Sequence, residues 1–283
     1  MSKVPPTYGD LGKSARDLFD KGYNYGFSKV DVKTKSASGV EFTVKGSSAS
    51  GTGQIVGSLE TKYKRPSQGI TFTEKWSTNN VLCSEVSVED QLAKGLKTTL
   101  CTSFSPSTGK KSATLKTAYK RDYVHLNLDS NCNLSPVVQG AAVVGYEGWL
   151  AGYQFAFDTS KSVLSKSNLA FGYTAADMQL LTTVNDCTEF GGSVFQRIDK
   201  NLSTGIQLGW NSGQSSTRFG VAAKYDCCDG CSVNAKLNNA GQIGVGYTHK
   251  LRDGIKLTLS SLVEGKNING GGHQLGLGLE FEV

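Results

Sequence analysis

From residue 27 onward, apolar and polar side chains alternate with period two almost to the end of the chain. Val40, Phe42 and Val44 alternate with Glu41, Thr43 and Lys45. Further on, Leu169, Phe171 and Tyr173 form one face, as do Ile206, Leu208 and Trp210, and finally Leu275, Leu277, Leu279 and Phe281. Successive side chains of a strand point to opposite faces, so this spacing predicts β-strands with one apolar and one polar side. Short polar clusters separate the segments, among them Asn79-Asn80, Ser107-Thr108-Gly109, Asn211-Ser212-Gly213 and Asn269-Gly270-Gly271-Gly272. They predict hairpin turns between neighbouring strands. The count is about 19 segments, give or take one or two, because 131–148 and 260–274 read ambiguously. Nineteen strands of ~10 residues with turns of ~3–4 need roughly 250 residues, so nothing is left for a second domain.

A soluble β-sandwich also alternates. Three features favour a closed barrel in a membrane instead. The strands are uniformly near ten residues, when soluble strands average ~5–6. Aromatic residues recur near segment ends (Tyr63, Trp76, Tyr119, Tyr146, Trp149, Tyr173, Trp210, Tyr225, Tyr247, Phe281), as in interfacial girdles. The second face is rich in Lys, Thr, Ser, Asn and Gln, so it offers no alternative apolar core. Closure then satisfies every backbone group without leaving a sheet edge in lipid.

Composition agrees. Of 283 residues 34 are Gly and 5 Pro, charged residues make 19%, and only 38% are apolar. No run approaches the ~18 apolar residues of a membrane helix, which excludes helical membrane proteins but not barrels. The net charge of +6 and the spread of 11 Tyr and 12 Phe exclude a disordered chain. The N-terminus has no apolar signal core, and Asp10, Asp17 and Asp20 interrupt what would otherwise resemble a transit peptide. An enzyme finds no support: there is no GxSxG elbow, the Gly-rich stretches precede no helix, and three histidines are scattered.

Three local features carry candidate chemistry. In Ile70-Thr71-Phe72-Thr73-Glu74-Lys75-Trp76, Glu74 shares the apolar face, which puts a carboxylate in the bilayer unless a bulge turns it toward the lumen. Residues 7–20 read as an amphipathic helix with Leu11, Ala15 and Leu18 on one side and Lys13, Arg16, Asp17 and Asp20 on the other. Such a helix can line the pore, presenting Lys13, Arg16 and Lys21 to solutes, or rest on the membrane surface. The seven cysteines are odd in number and irregularly spaced, which fits a reducing compartment. The cluster Cys227-Cys228-Asp229-Gly230-Cys231 has one C-x-x-C and no second pair. No metal is expected there; Asp229-Gly230 reads as a hairpin dipeptide.

Long motifs add to this reading. Val4-Pro5-Pro6-Thr7-Tyr8-Gly9-Asp10-Leu11-Gly12-Lys13, GSLETKY at 57–63, ITFTEKW at 70–76, EDQLAKGLK at 89–97, SFSPSTGKK at 103–111, GYEGWLAGYQ at 145–154, NDCTEFGGS at 185–193 and GGHQLGLGLEF at 271–281 resemble the voltage-dependent anion channels, the eukaryotic mitochondrial porins, and their animal branch in particular. The resemblance implies an all-β, 19-stranded transmembrane barrel (27–283) preceded by a helix and glycine-rich linker (1–26), with the helix inside the pore. It implies that the first and last strands are parallel neighbours, closing through 27–35 and 273–282. It implies a voltage-gated, weakly anion-selective channel of the mitochondrial outer membrane that passes ATP, ADP, phosphate and other metabolite anions. No cofactor is required; NAD(H) and ATP are implied as modulators or permeants. Nucleotide contacts fall on Lys13 and Lys21. A nicotinamide-nucleotide site corresponds to Gln242, Ile243, Gly244, Ser260, Ser261, Leu262, Val263 and Glu264. Glu74 matches a membrane-facing glutamate linked to hexokinase binding and dimerisation. Implied partners are outer-membrane lipids, hexokinase, apoptosis-regulating proteins and further copies of the chain, without nucleic acid. The sequence departs from the family's pattern at the cysteine-rich turn and at Gln242 and Ser261.

Overall fold

In the computed structural model, which describes residues 4–91, 93–132, 136–213, 216–228, 230–266, 269 and 271–282, the alternating segments form nineteen strands. The first ten are β1 (Phe27–Lys35), β2 (Val40–Ala49), β3 (Ile55–Arg65), β4 (Ile70–Ser77), β5 (Val81–Glu89), β6 (Leu96–Ser105), β7 (Lys110–Arg121), β8 (Val124–Asn131), β9 (Val137–Tyr146) and β10 (Trp149–Asp158). Then come β11 (Val163–Thr174), β12 (Met178–Asn185), β13 (Glu189–Arg197), β14 (Leu202–Asn211) and β15 (Ser216–Cys228). The last four are β16 (Cys231–Asn238), β17 (Gln242–Arg252), β18 (Ile255–Glu264) and β19 (Gln274–Glu282). The ambiguous stretches resolve with β9 beginning at Val137 and a connection between Glu264 and Gln274. Asp229 and Gly270, which the sequence places in turns, lie outside the described residues, as does the side chain of Cys228.

Each strand pairs antiparallel with its chain neighbour, and β1 pairs parallel with β19 to close the cylinder, from Ser28 opposite Leu277 to Lys33 opposite Glu282. An odd number of strands running up and down forces that one parallel seam. Closure leaves no edge, which is the condition for a sheet in hydrocarbon.

The surface area records the hollow shape. A soluble protein of 30.1 kDa exposes about 11,700 Å²; this one exposes 17325 Å². Large apolar side chains face outward and uncovered, with Trp76 and Phe171 each 59% exposed and Leu275 74%. A dry core between two layers would bury them. Outward apolar positions instead meet lipid, and the opposite positions enclose the lumen.

The N-terminal segment differs from the single helix expected over 7–20. A 3₁₀ turn at Tyr8–Asp10 is followed by α1 (Lys13–Asp20), and Leu11–Gly12 separates them. Gly12 adopts the left-handed conformation, φ 67°, which ends any continuous helix there. The 3₁₀ turn is capped by Thr7, whose hydroxyl accepts from the Asp10 amide at 3.1 Å.

Candidate functional site in the lumen

The segment lies inside the barrel. Leu11 packs with Val143 of β9 and Ala170 of β11, and Tyr8, Leu150 and Leu181 close around them. Val143 is 1% exposed. Further along, α1 rests on β13, β14 and β15, burying Ala15 and Leu18. This is a small core between helix and wall, formed because the apolar face of α1 has nowhere else in a water-filled lumen to be covered. At the start of the segment the buried His125 of β8 binds the Pro5 carbonyl through Nδ1 at 3.1 Å.

At the other end a latch joins α1 to β16. Lys236 Nζ donates to the Phe19 carbonyl at 2.6 Å, one of the carbonyls that a helix end leaves without an intrahelical partner. The same ammonium lies 4.3 Å from the ring centre of Tyr23 and 5.3 Å from that of Tyr25. These two rings stabilise the cation through their π-faces. Asn234 Nδ2 donates to the Lys21 carbonyl at 3.3 Å, and Ser260 Oγ accepts from the Asn24 amide at 2.9 Å. Burial pushes the Tyr23 phenol up to about 12 and raises that of Tyr25 as well, with Tyr23 adding to the latter. Both stay neutral beside the ammonium at physiological pH.

The wall beneath the linker is glycine where the backbone crosses it. A Cβ on Gly246 would collide with the Gly22 carbonyl oxygen, and one on Gly276 with that of Asn24. Only hydrogen leaves the linker room to lie this close.

The three cations expected to line the pore are there, but each has a nearby carboxylate or carbonyl. Lys13 pairs with Asp10 at 3.1 Å and Lys21 with Asp17 at 2.6 Å, while the Arg16 guanidinium donates to the Gly9 carbonyl. Hydrogen bonds from Thr7 and Lys13, together with the cation itself, hold the Asp10 carboxyl below the usual range. The helix therefore adds little net charge. A cleft of about 590 Å³ remains between α1 and the wall, lined by Arg16 of the helix and by Arg218, Lys236, Glu189, Asn185 and Gln207 of the wall.

Further positive charge sits on the wall of β1–β4. By alternation with the outward Val30, Val44, Leu59 and Phe72, strands β1–β4 turn Lys29, Lys33, Lys35, Lys45, Lys62, Lys64 and Lys75 into the lumen. Only Asp31, Glu41 and Glu60 share that face. Glu41 is divided between Lys35 and Lys64, at 4.0 and 3.9 Å. Lys33, Lys45, Lys62 and Lys75 form no ion pair among the described residues. The signal was present in the sequence as lysine at alternate positions opposite an apolar face.

Glu74 lies on the outer face between Phe72 and Trp76, exposed. Its strand keeps unbroken register with both neighbours, Glu74 opposite Thr61 and Ser84, so the bulge that would turn it inward is not there. The residues matched to a nicotinamide site fall on adjacent strands but on both faces. Gln242, Gly244, Ser260, Leu262 and Glu264 face the lumen; Ile243, Ser261 and Val263 face outward. Gln242 is held by Asn238 at 2.8 Å and by Glu264.

Comparison with known proteins agrees with this geometry. The family model of the eukaryotic porins matches residues 4–276. A non-selective voltage-gated ion channel of Xenopus laevis, VDAC2, is 58% identical over 281 residues, 99% of this chain and 100% of the relative. The human non-selective voltage-gated ion channel VDAC1 is 56% identical over 99% of both chains. A solved structure of a Rh. blastica porin mutant superimposes with a TM-score of 0.51 at 11% identity, over 85% of this chain and 99% of that one, which supports the barrel fold alone. The chain thus belongs to the eukaryotic porin family, and within it to the voltage-dependent anion channels of animals, which are membrane channels and not enzymes.

Proposed function

We propose that the protein is a voltage-gated, weakly anion-preferring pore of the mitochondrial outer membrane, passing ATP, ADP, phosphate and other small metabolite anions. The observation that supports this most is the lysine face of β1–β4, set across the lumen from a helix whose Lys13 and Lys21 are paired with Asp10 and Asp17. Fixed cations along a low-dielectric wall raise the local concentration of anions. In a wide aqueous pore they do so weakly, because salt screens beyond a Debye length of ~8 Å. In planar bilayers under a KCl gradient, the expected reversal potential shows a modest anion preference that fades as salt rises. Cation preference in the fully open state would overturn the reading.

Two subsidiary readings rest on placement. The lumen-facing Gln242, Gly244, Ser260, Leu262 and Glu264 form a patch for a nicotinamide nucleotide acting as a modulator. NADH added to the refolded channel should shift the amide signals of β17 and β18, and no shift would remove this site. Glu74, a carboxylate on the lipid-facing wall, is expected to govern contact with a second copy of the chain or a docked hexokinase. Unchanged cross-linking and hexokinase recruitment in Glu74→Gln would remove that role.

A further inference from the structure

One reactive pair lies outside the lumen. Cys231 opens β16 at the barrel rim, and alternation with Val233, Ala235 and Leu237 turns its thiol to the outer face. Directly opposite in β17 is His249, on the same face as Val245 and Tyr247. Cys231 Sγ lies 2.7 Å from His249 Nδ1, and the Tyr247 hydroxyl donates to the sulfur at 3.7 Å. The His249 ring stacks on Tyr247, with centres 6.1 Å apart and planes 14° from parallel, which fixes the imidazole over the thiol. A thiol in hydrogen-bond contact with an oriented imidazole is a nucleophile with its base. Conduction uses neither group.

The surroundings select the electrophile. Tyr247 is also the first wall of a groove of about 550 Å³ on the outer face, lined by Val245, Leu259, Leu275 and Leu277, with Ser28 across the seam. Tyr247 is two residues further from the rim than His249, so the groove leads from the thiol into the apolar band. An occupant with a reactive polar head and a long hydrocarbon tail fits both halves. Soluble oxidants or small alkylating agents would use only the first.

We propose that Cys231 is an S-acylation site that accepts long-chain acyl groups from acyl-coenzyme A thioesters, with His249 as base and the outer groove holding the acyl chain. Neutral His249 takes the thiol proton on Nδ1. The Cys231 thiolate attacks the thioester carbonyl carbon, a new C–S bond forms, and the bond from that carbon to the coenzyme A sulfur breaks. The departing thiolate receives the proton from His249. The exchange is thiol for thiol, so no oxidant or reductant takes part.

The full chain, refolded into phosphatidylcholine vesicles, is incubated with alkyne-tagged palmitoyl-coenzyme A and read by mass spectrometry at each cysteine. The expected result is hydroxylamine-sensitive label at Cys231, absent in Cys231→Ser. In His249→Gln labelling slows on the order of 10²-fold, the loss typical of a missing general base. Unchanged single-channel conductance in both variants shows that they are folded. Acetyl-coenzyme A, lacking the chain, should label Cys231 at least about tenfold more slowly, and equal rates would overturn the groove's part. Label spread equally over the exposed Cys132, Cys187 and Cys227, or a rate indifferent to His249→Gln, would overturn the proposal as a whole.

Discussion

The two halves of the lumen wall are built to opposite specifications. Under the N-terminal segment, β9–β18 offer Val143, Ala170 and glycines at the crossing points, with Lys236 committed to a carbonyl and two aromatic rings. Across the pore, β1–β4 offer lysine after lysine, while α1 rests on β13–β15. Both halves obey the same alternation, and both have an apolar outside. The difference lies wholly in what the inward positions have to do: one half is a seat, the other a field. Conductance selectivity and helix position are therefore separable properties of one cylinder.

The largest effect that would break this comparison comes from the bare wall. Replacing Lys33, Lys45, Lys62 and Lys75 together by Glu should invert the sign of the reversal potential in a KCl gradient, with the barrel still folded, because these side chains face water on one side only. An unchanged sign would show that the field originates elsewhere. On the seated side, Lys236→Met removes a charged hydrogen bond and both ring contacts. It should weaken docking of α1 by about 2 kcal/mol, a roughly 30-fold rise in the undocked population. Hydrogen exchange of the Lys13–Asp20 amides reads this directly, while barrel amides should not change. Gly246→Ala should displace the linker at a cost of about 1–3 kcal/mol, as overpacking does, seen as faster exchange around Gly22–Asn24.

The smallest effect is electrostatic. Asp10 has its carboxyl held below the ordinary range by Thr7 and Lys13. A depressed carboxylate contributes stability above its unfolded pKa and loses it as pH falls through the folded one. These partners belong to the same segment, so the local fold of residues 7–13 should loosen at acid pH, from the ordinary carboxylate range downward. That loosening should be absent in Asp10→Asn when exchange of residues 8–20 is followed against pH.

Much of this was legible from the residues. A period of two is a local property, so Val40-Phe42-Val44 or Leu275-Leu277-Leu279 announces a strand and its faces without knowledge of neighbours. Glu74 was readable for the same reason, since its face follows from Phe72 and Trp76. The break in the N-terminal helix had a signal in Gly12, whose ease at positive φ the apolar spacing across 7–20 concealed. The latch had none. Lys236 and Phe19 are 217 residues apart, and only the register of β16 brings them together. The Cys231–His249 pair was hidden likewise: each lies in its own strand, and which rung of β17 faces Cys231 depends on the length of the hairpin between them.

The parallel seam has a consequence for which side of the bilayer each end of the wall occupies. An even number of up-and-down strands brings the wall back to the rim from which it started; nineteen does not. Because β1 and β19 run the same way, the wall begins at one rim with Phe27 and finishes at the opposite one with Glu282. A protease-cleavable tag appended after the last strand should thus be cut only from the compartment facing away from the rim where the linker enters the first. Sidedness, usually read from loops, is here fixed by parity.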